Sequence, residues 1–492
     1  MGKSYWIMHK FIKTLFNNQI YIFLFISTWF CIDTNFENIL SLKKDINVKN
    51  FFLSIRSALP LFFFATLVII TFANKTLQKI YYTNNRSFNF ILFSIAFFFI
   101  FQLYGLITTG NDILNSYYIL VSIIAICFTI SSYNKNLETV SYYICLLILG
   151  LIIIVYSYLN YRWLLTTDEL QLYGTWPHVY WPIDKFSNNV IRSSGLSRSN
   201  LIFFFPIFFI ILINRLKYIF LIPYLILATN IYLAQSRTVL LFYIPFVIFA
   251  IFYFLRNKNL KHILVKFFIL FLLPIIFFYS VLVIKEEVRT KKFTTQIIKK
   301  IQPESSFDLE KKTVEKYREE YVKLGCHKIS TDYTVADPAI RNFALKCNIL
   351  AQKQTGFLKA EFVRALDPFS ITSNRFNYWK EVVAASNRPI AGYGPLGDKF
   401  LIGQNSHNIL IYSYASGGLI SVIFIMILIA RYTYVCIFLT FFKKIPLTNK
   451  NIVLFSSIFT TSFLIFRGIT QVGIGVFSID LLVFLSQNLL ER

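Results

Sequence analysis

The sequence predicts an all-α polytopic membrane protein, with about twelve transmembrane helices and one large, mainly helical loop on the outer side. Three observations lead there. Hydrophobic residues make up 56% of the 492-residue chain and charged residues 15%, against about 45–50% and about 25% in soluble domains. The apolar residues, 55 phenylalanines among them, gather in runs of about 20, the length at which a helix rising 1.5 Å per residue crosses the hydrocarbon of a bilayer. Lysine and arginine concentrate between those runs rather than inside them.

The N-terminal region 1–160 holds apolar runs at 18–35, 52–73, 88–107, 113–133 and 140–160. The first is the weakest, because Asp33 and Glu37 sit at its end, so ten or eleven spans is the alternative count. Lys3, Lys10 and Lys13 precede it, but no small-residue cleavage site follows, which argues against a removed signal. A polar loop, 161–199, leads to region 200–284 with runs at 200–214, 218–235, 238–255 and 263–284. The large loop 285–417 comes next, and region 418–492 closes the chain with runs at 418–442, 450–466 and 472–489.

Charge sets the orientation. With the N-terminus in the cytoplasm, its segment and the alternate short links carry fifteen Lys or Arg, and the opposite short links carry five. Cytoplasmic links are the cation-rich ones, so both termini are expected inside and the two larger loops outside. The chain has 49 Lys+Arg against 24 Asp+Glu, a net +25. In a soluble protein that would point to nucleic acid. Here the cations flank apolar runs, as anchors in an anionic leaflet do, and no nucleic-acid partner is expected. No zinc-type Cys/His spacing, Walker A loop or Asp-x-Asp pair occurs, so neither metal nor cofactor is expected.

The loop 285–417 holds 21 Lys+Arg and 14 Asp+Glu. Its stretches 307–323 and 338–366 read as helices punctuated by Pro303, Pro338 and Pro368, and a charge-rich helix ordinarily presents a solvated face. Cys326 and Cys347 both fall in this loop, while the other four cysteines fall in apolar runs. An oxidising compartment permits a bridge between them, and two separate free thiols are the alternative.

Some charges exceed what anchoring requires. Arg237, in Ala234-Gln235-Ser236-Arg237-Thr238, joins two runs so tightly that it must lie at the outer membrane edge. An arginine there is paired or functional, with planar donors that suit phosphate oxygens, or else it is a snorkelling interfacial cation. Arg192 and Arg198 stand in a Ser- and Gly-rich stretch just before a run that starts outside, a pattern that suits an anion site and an ordinary loop equally. Arg56 and Arg467 are weaker candidates. The richest stretch is 375–420. Arg375 and Trp379 open a short amphipathic helix, and a glycine-rich turn follows with Pro389, Gly392, Gly394 and Gly397. Asn405-Ser406-His407-Asn408 then leads into an apolar helix through Gly417-Gly418. His407, where the loop rejoins the bilayer, has the ordinary range of a proton acceptor near neutral pH, or else it is a capping residue.

These motifs, in this order, resemble the bacterial O-antigen ligase/O-antigen polymerase superfamily. The resemblance rests on Ser236-Arg237, Arg375 with Trp379, Pro389 with Gly392 and Gly394, His407-Asn408 with Gly417-Gly418, and the upstream Arg192, Gly195 and Asn200. It covers about residues 190–430. It implies an inner-membrane, multi-span glycosyltransferase that needs no metal and works on the periplasmic face. The donor is an undecaprenyl-diphosphate-linked glycan, and the acceptor is the lipid-A core (ligase) or a second lipid-linked glycan (polymerase). By this analogy Arg237 and Arg192 hold the diphosphate, and His407 orients or deprotonates the acceptor hydroxyl. Arg198, Arg375, Gly394, Asn405 and Asn408 line the substrate. The outer loop is longer than a ligase requires, which leaves the acceptor open. A polysaccharide or lipid transporter is the competing class. It predicts polar residues near mid-bilayer and internal repeats, neither of which stands out.

Overall fold

The computed structural model describes residues 86–109, 115–132, 193–213, 218–234, 236–256, 260–298, 375–403, 406–443, 445–448, 451–470 and 479–486, with Ile22, Leu24, Leu59, 62–70, Phe72, Gly150, Leu151, Ser157 and Lys258. Among these residues there is no strand. The helices are α1 (Arg86–Thr109), α2 (Asn115–Ser132), α3 (Ser193–Ile213), α4 (Tyr218–Leu233), α5 (Arg237–Leu255), α6 (Leu260–Phe267), α7 (Leu273–Ile298), α8 (Arg375–Ala385), α9 (Gly397–Ile402), α10 (Ile409–Ile437), α11 (Ile452–Thr470) and α12 (Ile479–Ser486). Five described segments are long and apolar enough to cross a membrane: Phe88–Thr109, Thr238–Leu255, Leu260–Lys285, Ile409–Phe442 and Ile452–Thr470. The chain is a helical, membrane-embedded protein. The chain divides into two compact units, Met1–Glu286 with Trp379–Arg492, and Glu287–Tyr378. Of the second, the C-terminal part of α7 and the first turn of α8 are described.

The helices follow from satisfied backbone groups in an apolar setting. Hydroxyls inside them turn back on their own helix: Ser94 donates to the Phe90 carbonyl at 2.9 Å and Thr129 to the Ala125 carbonyl at 2.9 Å. Pro206, Pro223 and Pro245 stand inside α3, α4 and α5, where neighbouring helices make a missing N–H tolerable. A π-helical turn, Phe268–Leu272, joins α6 to α7, and the Tyr224 hydroxyl donates to its Leu270 carbonyl. Helix α7 continues to Ile298, past the expected span 263–284, because no glycine or proline interrupts 285–298 and Lys285, Glu286, Glu287, Arg289, Lys291 and Lys292 are good helix formers.

Aromatic rings fix how the helices run. Phe205 of α3 meets Phe242 and Phe246 of α5 at 6.3 and 5.0 Å, and Phe209 meets Phe254 at 5.9 Å. The two helices are therefore parallel. Phe242 meets Phe463 and Phe466 of α11, while Phe254 meets Phe455, so α11 runs opposite to both. Asn230 near the end of α4 donates to Asn200 near the start of α3 at 3.2 Å, which makes α4 antiparallel to α3. Asn408, preceding α10, donates to the Ile469 carbonyl at the end of α11 at 2.9 Å. One end of the bundle thus gathers the starts of α3, α5 and α10 and the ends of α4 and α11. Arg256, Lys258 and Lys443, which belong to the cation-rich links of the sequence, fall at the opposite end.

Candidate functional site

The glycine-rich turn 386–397 is built into the bundle between α1 and α10. Helix α10 breaks at Gly417 and Gly418, whose backbones are non-helical. Carbonyls and N–H groups released by that break are taken up by the turn. Tyr393 N–H donates to the Ala415 carbonyl at 2.8 Å, Gly394 N–H to the Ser416 carbonyl at 2.8 Å, and Leu419 N–H to the Pro389 carbonyl at 2.7 Å. Backbones can approach this closely because glycines meet there. A Cβ on Gly105 of α1 would lie 2.6 Å from Gly394 N, and one on Gly394 would lie 2.7 Å from Leu106 Cα. Gly394 is buried and takes a left-handed φ of +83°. Its place is in this backbone junction. Arg388 anchors the rim: its Nη1 donates to the Thr108 carbonyl and Oγ1 at 3.2 Å each, and its guanidinium lies 5.9 Å from the Tyr393 ring centre.

The turn delivers Asp398 into the bundle end, where it is fully buried. Its Oδ1 accepts from Lys399 N–H at 2.9 Å, and its Oδ2 accepts both the N–H and the hydroxyl of Ser406 at 2.8 and 2.9 Å. Trp379 Nε1–H donates to the Ser406 carbonyl at 2.6 Å. His407 follows, partly exposed, with a φ of +55°. That left-handed backbone costs a residue with a Cβ about 1–2 kcal/mol. Asn408 comes next as the N-cap of α10: its Oδ1 accepts from Leu410 and Ile411 N–H at 2.8 and 3.2 Å. The side chain of Asn408 is thereby committed to the cap and to Ile469.

A second feature of this end is a buried ion cluster. Asp480, in the first turn of α12, has no solvent exposure. Its Oδ1 pairs with Arg198 Nε at 3.2 Å and its Oδ2 with Arg467 Nη1. The two arginine side chains are 14% and 8% exposed. Arg467 in the last turn of α11 and Asp480 in the first turn of α12 each match the helix dipole at its position. Arg198, one of the residues expected to line the substrate, is held in this cluster.

The other sequence candidates are placed as follows. Arg237 opens α5 behind the N-cap Ser236, at the same bundle end. Arg375 opens α8, is partly buried, and belongs to the second compact unit. Arg192, Asn405, Cys326 and Cys347 lie outside the described residues. Asp398, Ser406 and Asp480 were not singled out by sequence reasoning. Asp480 carried a signal that pattern reading can use: a lone carboxylate inside the last apolar run, close to a lone arginine just past the end of the run before it. Asp398 carried none, since an aspartate in a glycine-rich turn is ordinary. Among the described residues, no group of three or more His, Cys, Asp and Glu side chains is arranged to hold a metal ion. No protein-family model, curated protein or solved structure matches the chain.

Proposed function

We propose that the chain is an O-antigen ligase-like glycosyltransferase of the bacterial inner membrane, with about twelve spans, both termini cytoplasmic, and the large loop and the site on the periplasmic face. The observation that carries the reading is the gathering at one bundle end of segments far apart in sequence. The Arg237 end of α5, the Arg198 end of α3 and the turn bearing His407 all meet there. Arginines and an imidazole at a membrane edge suit a lipid-linked diphosphate whose sugar projects outward. In this reading Arg237 and Arg192 hold the diphosphate. The acceptor hydroxyl oxygen attacks the anomeric carbon, and the carbon–oxygen bond to the diphosphate breaks with its electron pair leaving on phosphate. The hydroxyl proton passes to His407. Direct displacement inverts the anomeric centre.

The test is transfer by the purified full-length chain in lipid. It receives an undecaprenyl-diphosphate-linked repeat with lipid-A core, or the repeat alone. Glycan on lipid-A core supports the ligase reading. Lengthened lipid-linked chains assign the polymerase, which uses the same donor chemistry. Intact donor in both arms, or donor moved across a vesicle membrane without bond cleavage, refutes the transferase reading.

A further inference from the structure

We propose that Asp398 is a positioning residue for His407, acting through Ser406; this rests on the reading in which His407 takes the acceptor proton. Both chain neighbours of His407 are pinned. Ser406 is fully buried, with its N–H and hydroxyl on Asp398 Oδ2 and its carbonyl under the Trp379 indole N–H. Asn408 is buried between the first turn of α10 and the end of α11. Between the two pins, His407 is left partly exposed in a left-handed backbone. A loop needing only that turn is served with less strain by glycine or asparagine. A histidine kept there by neighbours that over-determine its backbone points to the imidazole as the reason. Asp398 reaches this position because Gly397 lets α9 start against α10, where a Cβ would meet the Ala415 backbone. Its carboxylate accepts from three donors, two of them on Ser406, so it holds the shape of the loop that carries His407.

The experiment uses Asp398→Asn, Ser406→Ala and His407→Gly, singly and combined, in the full-length protein. For Asp398→Asn we expect kcat to fall about 30-fold or more while KM for the lipid-linked donor moves less than about threefold. Ser406→Ala, which keeps the backbone contact, should fall about tenfold and serves where Asp398→Asn does not fold. In the His407→Gly background neither substitution should lower the residual rate further, because both act through the imidazole. Multiplicative losses in that background, or unchanged kcat in both single variants, overturn the proposal. Acylation of His407 by a histidine-selective reagent, read by mass spectrometry, gives a measure that needs no turnover. Its rate should change at least threefold in Asp398→Asn or Ser406→Ala, and an unchanged rate overturns positioning. If His407→Gly retains full transfer, the general-base reading fails instead, and the acylation arm still decides whether Asp398 sets the ring.

Discussion

Replacing Asp480 by asparagine keeps the shape of the side chain and removes its charge, leaving the Arg198 and Arg467 guanidiniums facing each other in a buried site. At 3.2 Å and an effective dielectric constant of about 20, the lost attraction to Arg198 alone is about 5 kcal/mol. Part of it only offsets the desolvation of the groups, so the expected destabilisation is about 3–5 kcal/mol, the usual cost of breaking a buried pair from one side. The assay is reversible unfolding in bicelles or mixed micelles, run as a double-mutant cycle with Arg467→Met. Arg467→Met alone should destabilise, and Asp480→Asn with Arg467→Met should recover part of the loss, giving a coupling energy of about 2 kcal/mol or more. A destabilisation below about 1 kcal/mol in Asp480→Asn, or additive losses in the cycle, refutes the buried cluster as a stabilising clasp, since exposed pairs are worth no more than that.

Gly394→Ala should destabilise by about 2 kcal/mol or more, because the new methyl meets the Leu106 backbone at a left-handed position; wild-type stability by the same unfolding assay contradicts the packed junction. Under the proposed function, Arg237→Lys keeps the charge but loses the planar fork, and transfer should fall about 30-fold with normal membrane insertion, matching a contact of about 2 kcal/mol or more; near-normal turnover favours a simple membrane anchor. His407→Gln should lose about 100-fold or more in rate. A histidine base accepts a proton only when neutral, so wild-type activity should decline toward acid pH, and the decline should be missing from the residual activity of His407→Gln. His407→Gly should be as stable as the wild type or up to about 1 kcal/mol more stable, since glycine relieves the left-handed strain but adds entropy to the unfolded chain.

Five long apolar helices were legible in the sequence. The expected run 238–255 coincides with Thr238–Leu255, and 88–107 and 450–466 end within four residues of Phe88–Thr109 and Ile452–Thr470, because a run's length is set by bilayer thickness and its ends by local polarity. The expected start of a span at 418 coincides with the Gly417–Gly418 break, after eight residues of α10 that belong with the turn beneath it. Gly394 was readable as important but not as packing. A glycine at a turn looks the same whether a ligand or a neighbouring backbone comes close, and Leu106 lies almost three hundred residues away in the chain.

What the sequence alone determined is the class: a helical chain embedded in a membrane, its cations sorted between links and its polar motifs collected in a few stretches. Those properties are sums over local residues, and apolar length and flanking charge need no partner to act. Tertiary structure decided which polar groups belong together. Asp480 became the clasp of Arg198 and Arg467, and Asp398 became the anchor under Ser406, through pairings between helices that the chain order does not announce. The physical reason is that a charge within an apolar bundle persists only beside its counter-charge or its hydrogen-bond donors. Those partners come from whichever helix ends the packing of Phe205, Phe209, Phe242 and Phe459 brings to the same edge.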